Sequence, residues 1–166
     1  PAQAVPGYNP VGPQTSVALA TVTGGGWTEC YAETMSVSIG DNAEGVLNAC
    51  SGTYLMMAGR ETGSSTFLVL AQTLLSDTII DNGATSVTHA SNGSEWWFSS
   101  NWSWGFTAAG DTVSNNQCDT GSSPTSMCLH TFAGVGGYRI NDIQFLNDSI
   151  AYEKVFFVAD GGTPNA

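Results

Sequence analysis

The sequence predicts a mainly β protein, a single-domain antiparallel β-sandwich or jelly roll with one short helix near residues 42–50. Three observations predict it. Short apolar stretches recur along the chain, separated by Gly, Asn, Asp and Ser turn signals, which is the spacing of sandwich strands. The stretch from Thr66 to Leu75 places Phe67, Val69 and Ala71 on one face and Leu68 and Leu70 on the other, and a strand apolar on both faces is central and covered. A good helix start occurs once, at Asp41-Asn42-Ala43-Glu44, where Asp41 can cap and Glu44 can reach back three residues. The 166 residues make one domain and suffice to bury about 70% of the surface of the unfolded chain.

In chain order, residues 1–15 carry Pro1, Pro6, Pro10 and Pro13, a density that excludes helix and predicts an extended arm. Ser16 to Thr23 alternates small and β-branched residues and reads as a strand, broken by Gly24-Gly25-Gly26, a hinge. A second strand is expected from Trp27 to Ile39. The helix follows and ends near Cys50-Ser51-Gly52. Tyr54 to Ala58 and Thr66 to Leu75 are strands joined by the Gly59 to Ser65 hairpin chemistry. Further strands are expected at Asp77 to Ile80, Glu95 to Ser99, Trp102 to Thr107, Tyr138 to Phe145 and Lys154 to Ala159. The domain thus runs from 16 to 160, and 161–166 is a linker-like tail.

Charge bounds the function. Arg60, Arg139 and Lys154 are the only basic residues against fourteen acidic ones, and charged residues make up 10% of the chain where about 25% is usual. A net charge of −11 argues against nucleic acid and against an anionic membrane surface. No apolar run approaches the roughly 18 residues of a membrane helix. The chain begins at Pro1 without Met or signal peptide, as expected of a processed form. Four cysteines in such a chain favour disulfides in an oxidising compartment over a zinc site. Of the three pairings that four cysteines allow, Cys30–Cys50 with Cys118–Cys128 closes the shortest loops.

Candidate chemistry is sparse. His89 and His130 lie in polar segments, no G-x-S-x-G elbow is present, and Ser and Thr are too abundant to inform. Glu29 and Glu33 would share a face of an extended strand, as a glycosidase pair requires, but the chain has few groups to grip a sugar. The expectation is a protein that is not an enzyme. Gly40-Asp41-Asn42, Asp81-Asn82-Gly83 and Asn147-Asp148-Ser149 are oxygen-rich turns that could hold Ca²⁺ or simply be Asx turns; no cofactor is otherwise expected. The aromatic run from Glu95 to Phe106 is the strongest local signal. Trp102, Trp104 and Phe106 fall on one face and are expected in the core, whereas Trp96 and Trp97 point to opposite faces, so that one of them could be exposed to bind glycan.

Several segments together, Trp27-Thr28-Glu29-Cys30-Tyr31, Leu47 through Gly59, Trp102-Ser103-Trp104-Gly105-Phe106, Cys118-Asp119-Thr120, Cys128-Leu129-His130-Thr131, Gly136 through Ile140 and Tyr152-Glu153-Lys154-Val155, resemble an exported bacterial β-rich domain found in some PEP-CTERM-type secreted proteins. The resemblance covers about residues 25–160. It implies export, a cell-surface location and an association with extracellular polysaccharide or biofilm material, and it carries no catalytic residues. The Pro-Glu-Pro sorting signal of that class is not among residues 1–166. The function expected is a non-enzymatic, secreted structural protein of an extracellular matrix, sheath or filament. It would be a homo-oligomer or polymer formed through the N-terminal arm, with Val17, Leu19 and Val22 as apolar anchors for a neighbour's sheet. A glycan-binding surface module or adhesin using Trp96 and Trp97 is the alternative, and a small secreted hydrolase the third class weighed.

Overall fold

The computed structural model describes residues 6–83, 87–114, 119–120, 124–132 and 134–160. Its strands are β1 (Val17–Ala18), β2 (Thr28–Thr34), β3 (Tyr54–Glu61), β4 (Thr66–Phe67), β5 (Val69–Leu74), β6 (His89–Ser91), β7 (Ser94–Phe98), β8 (Ser103–Ala108), β9 (Val113–Ser114), β10 (Asp119–Thr120), β11 (Met127–His130), β12 (Gly137–Ile140) and β13 (Tyr152–Ala159). Three single-turn or two-turn helices interrupt them, α1 (Leu19–Gly24), α2 (Glu44–Leu47) and α3 (Leu75–Thr78). The fold is the expected mainly β sandwich of antiparallel sheets. One sheet has the order β2-β13-β3-β5 and the other β12-β11-β8-β7-β6, with two-stranded pairings β1-β4 and β9-β10 beside them.

The sandwich interior joins the inner faces of both sheets. Leu55, Met57, Val69, Ala71 and Phe156 meet Trp96, Phe98, Trp104, Phe106, Met127, Leu129 and Ile140 there. The Trp104 and Phe156 rings stack at 5.3 Å across the layers. The first sheet is apolar on its outer face as well: Met56, Ala58, Phe67, Leu70, Val155 and Phe157 form a second core with Val22 and Trp27. Both faces of β3 and β5 are thus covered, but β5 is the edge strand of its sheet rather than a central one. Phe67 lies on the outer face with Leu70 while Leu68, Val69 and Ala71 pack in the interior, so the alternation expected across Thr66 to Leu75 breaks at Leu68, between β4 and β5.

Several expected elements differ. Ser16 to Thr23 is a strand only at Val17–Ala18; from Leu19 it is helix α1. Leu19 and Val22 stand three apart, so a helix turns both toward the outer core, whereas a strand would split them. Asp77 to Ile80 is not a strand but follows from α3, where the Thr78 hydroxyl donates to the Leu75 carbonyl at 2.8 Å. Near residue 42 the helix is short, as expected, but it is divided: a 3-10 turn over Asp41–Ala43 precedes α2, with Asn42 and Ala43 both at positive φ. Neither segment has a side-chain cap, so the capping box expected of Asp41 and Glu44 does not form. The Gly24 to Gly26 run ends α1, with Gly25 as its C-cap. A methyl group at Gly25 would lie 2.3 Å from Tyr8 Cβ and 2.9 Å from the Thr21 carbonyl oxygen, so glycine is what lets the N-terminal segment pack there.

Candidate functional site

The N-terminal segment is docked on its own chain. Gln14 forms an antiparallel bridge with Leu70, exchanging backbone hydrogen bonds of 2.8 and 3.0 Å along the edge of β5. Val17 pairs with Phe67 and Ala18 with Thr66. The Gln72 amide donates to Asn9 Oδ1 and to the Pro10 carbonyl, the Trp27 indole donates to the Tyr8 carbonyl at 2.8 Å, and Tyr8 N–H donates to the Gly25 carbonyl. Residues 6–18 thus run along this sheet edge in an irregular path, paired at Gln14 and at Val17–Ala18, and α1 lays Val22, at 0% exposure, on the outer face of the same sheet. The extended arm expected for residues 1–15 is, over residues 6–15, part of this fold; residues 1–5, like the tail at 161–166, lie outside the described residues. The anchors Val17, Leu19 and Val22 all pack into the outer core of their own chain.

Cys30 and Cys50 form the expected disulfide, tying β2 to the segment after α2. Cys128 is buried and no described cysteine is free. Cys118 lies outside the described residues, so its pairing with Cys128 is a proposal that peptide mapping without reduction can test.

The tryptophans do not divide as expected. Trp96 and Trp97 are 0% and 1% exposed, so neither can serve as a glycan platform. Trp96 points into the sandwich, while Trp97 lies on the outer face of the second sheet with Val113 and Cys128. Trp97 is opposite Gly105 in the register and donates its indole N–H to Ser103 Oγ at 2.9 Å. This cover explains why β8 is buried on both faces. Trp104 and Phe106 are core as expected, but Trp102 is 41% exposed, because it belongs to the turn before β8, with its N–H on the Ser99 carbonyl.

Glu29 and Glu33 are separated by a bulge. β13 pairs Phe156 with Tyr31 but Phe157 with Glu29, so Cys30 is the extra residue on β2. One extra residue reverses the alternation. Glu29 then stands opposite Phe157 of the outer core and Glu33 opposite Lys154, on different faces, so the shared face expected for this pair is lost. His89 lies 3.9 Å from Asp77 Oδ1 at a partly exposed edge. In the Asp81 turn the Gly83 N–H bonds Asp81 Oδ1 at 2.8 Å, an Asx turn. Among the described residues no three His, Cys, Asp or Glu side chains converge. A depression of about 490 Å³ between the N-terminal segment and α1 is lined by Gly7, Tyr8, Ala20, Thr21, Gly24 and Gly25, none of them a carboxylate, imidazole or thiol.

All three basic side chains are withdrawn from the surface. Arg60, with a side chain 12% exposed, holds Glu153 at 2.6 Å and lies over the Phe67 ring; Arg139 is 4% exposed and Lys154 0%. Lys154 Nζ donates to the Thr34 and Val37 carbonyls, fixing the turn after β2. Burial lowers its pKa from the usual 10.5 to about 8, partly offset by Glu33. Burial, and then Glu33, raises Tyr31 to about 12.

One surface feature has no counterpart in the sequence pattern. Phe132, His130, Tyr138 and Phe145 form a row of rings with centroid separations of 5.2, 5.6 and 5.6 Å. They come from β11, from β12 and from the turns after each, so no local run of aromatics marks them. Tyr138 anchors the row by packing against Trp97, Val113 and Cys128. Burial lowers the His130 pKa, partly offset by the nearby Trp102 carbonyl and Asn147 side chain. Phe145 is 75% exposed and has φ of 62°.

Among the described residues no helix is long and apolar enough to cross a membrane. No family model, no curated protein and no solved structure matches the chain.

Proposed function

We propose that the protein is a non-enzymatic, secreted structural subunit of an extracellular matrix, sheath or filament, and that copies self-associate by exchanging their N-terminal segments. The observation that carries this reading is the edge pairing of the N-terminal segment at Gln14 and Val17–Ala18. Residues 6–18 meet the edge of β5 and β4 through a few backbone bonds, and everything they contact would be reproduced if the segment came from a neighbour. The edge they cover is part of a sheet apolar on both faces, so it cannot stand open in water. Backbone pairing also suits a molecule whose exposed surface has lost its cations to the interior, because copies of net charge −11 cannot attract one another through ion pairs. The Cys30–Cys50 disulfide is compatible with an oxidising compartment, and the resemblance to exported β-rich domains points the same way.

A cross-link distinguishes exchange from a segment that stays at home. Ala18 and Thr66 are exposed and directly paired, and paired antiparallel residues are spaced as a disulfide needs. The Ala18→Cys/Thr66→Cys protein is concentrated, examined by electron microscopy for polymers, then oxidised and run on a non-reducing denaturing gel. Exchange predicts a ladder of covalent multimers. A single monomer band from assembled material, or no assembly at any concentration, overturns the proposal.

A further inference from the structure

We propose that the ring row Phe132–His130–Tyr138–Phe145 is a stacking platform for an uncharged polysaccharide. This inference is independent of self-association through the N-terminal segment.

Phe145 carries the argument. A non-glycine residue in the left-handed region is strained, and for a bulky side chain it is an outlier. Such strain is normally offset by burial of the side chain. Here the phenyl ring is 75% exposed, so the fold receives neither relaxed backbone nor buried ring. The neighbours show that the arrangement is held in place. Leu146 is buried and its N–H donates to the Tyr138 carbonyl at 3.0 Å, which sets the turn and aims the Phe145 ring at Tyr138. Tyr138 is in turn fixed on the outer-face cluster below. A strained residue displaying an apolar ring at the end of an anchored row fits a ligand contact better than it fits stability.

The chemistry of the row selects the ligand. The rings offer π faces on which C–H bonds can stack, and half-buried Tyr138 adds a hydroxyl as a hydrogen-bonding group. A pyranose has the complementary pair of surfaces, an apolar C–H face and a hydroxyl edge. An anionic polymer is disfavoured, because Asp142 and Asp148 flank the turn that carries Phe145 and all three basic side chains are buried or paired. A second copy of this chain would bring the same negative surface to the contact.

Affinity electrophoresis tests the proposal with named probes. Native gels containing laminarin, amylose or hydroxyethylcellulose, and pull-downs on insoluble cellulose and chitin, are run with the full chain, with Tyr138→Ala and with Phe145→Gly; alginate is the anionic control. At least one neutral polysaccharide should retain the protein, alginate should not, and each variant should weaken retention about tenfold. Phe145→Gly should leave the melting temperature unchanged or raise it, because glycine relaxes the left-handed backbone. Retention by none of the neutral polymers, or equal retention of Phe145→Gly, overturns the proposal. So does a fall in melting temperature in Phe145→Gly as large as that of a core variant, which would make the ring structural. Loss in the variants of a dimer seen by sedimentation without polysaccharide would instead assign the row to contacts between copies.

Discussion

Trp104 stacks on Phe156, meets Phe98 edge-on at 5.9 Å and donates its indole N–H to the Thr78 carbonyl at 2.8 Å. Trp104→Ala should therefore cost about 3–5 kcal/mol, while Trp102→Ala, at an exposed turn, should cost less than about 1 kcal/mol; urea denaturation of the two variants checks the contrast. Lys154 gives a second prediction at this scale. The unfolded chain keeps the lysine proton to about 10.5 and the folded protein releases it near 8, so between these values the unfolded state binds more protons. Stability therefore rises with pH through this window, and burial of the charged form destabilises the fold below it. The rise should be visible from about pH 8 to 10 and then be opposed, because Tyr31 holds its proton to about 12 in the folded state while the unfolded tyrosine ionises near 10. Chemical denaturation across this range should show the rise in the native protein and its loss in Lys154→Met. A stability that falls steadily from pH 8 would contradict the assignment.

At the scale of elements, the contact between the N-terminal segment and α1 turns on Gly25. Gly25→Ala places a methyl against Tyr8 Cβ and the helix backbone, and overpacking of this kind costs about 1–3 kcal/mol. The loss should appear locally, as faster proteolysis of residues 6–18 and faster exchange of the Tyr8 amide, with the sandwich amides protected. The same region shows what was legible in the sequence and what was not. β3, β5, β7, β8 and β13 were legible because their apolar pattern extends over five residues or more and the faces they bury follow the alternation. α1 was not, because six residues containing one Leu and one Val satisfy period two and period 3.6 almost equally, and only the position of the outer core decides between them. α3 is a single turn, too short for any period to register. The bulge at Cys30 was invisible because it arises from pairing with β13, more than a hundred residues away. The disulfide was legible from loop length. The aromatic row was not, since its rings are brought together by the β11–β12 pairing and a turn beyond it, and Trp96 and Trp97 drew attention by adjacency while a covered sheet face buried both.

For the whole molecule, the disposition of charge is as important as its sum. Each cation is used internally: Arg60 on Glu153 and Phe67, Lys154 on two carbonyls, and Arg139 within β12 near the Asn141 carbonyl. The exposed surface is thus acidic or neutral, and copies repel over roughly the Debye length, about 10 Å at 0.1 M salt. Self-association should accelerate as ionic strength rises from about 10 mM toward 1 M, where the screening length falls from about 30 to about 3 Å; light scattering follows it, and slower assembly at high salt would imply attraction between charged patches instead. The layered architecture places its last strand, β13, at the centre of the first sheet, bonded to β2 on one side and to β3 on the other. The N-terminal half of the chain accordingly emerges with its sheet missing the middle, and the pairing of Phe156 with Tyr31 closes a loop spanning most of the polypeptide. Loops of that size are slow to close. Until Tyr152–Ala159 has been synthesised and freed, the first sheet lacks its central strand, and the arrival of β13 is the event that lets the two flanking strands join.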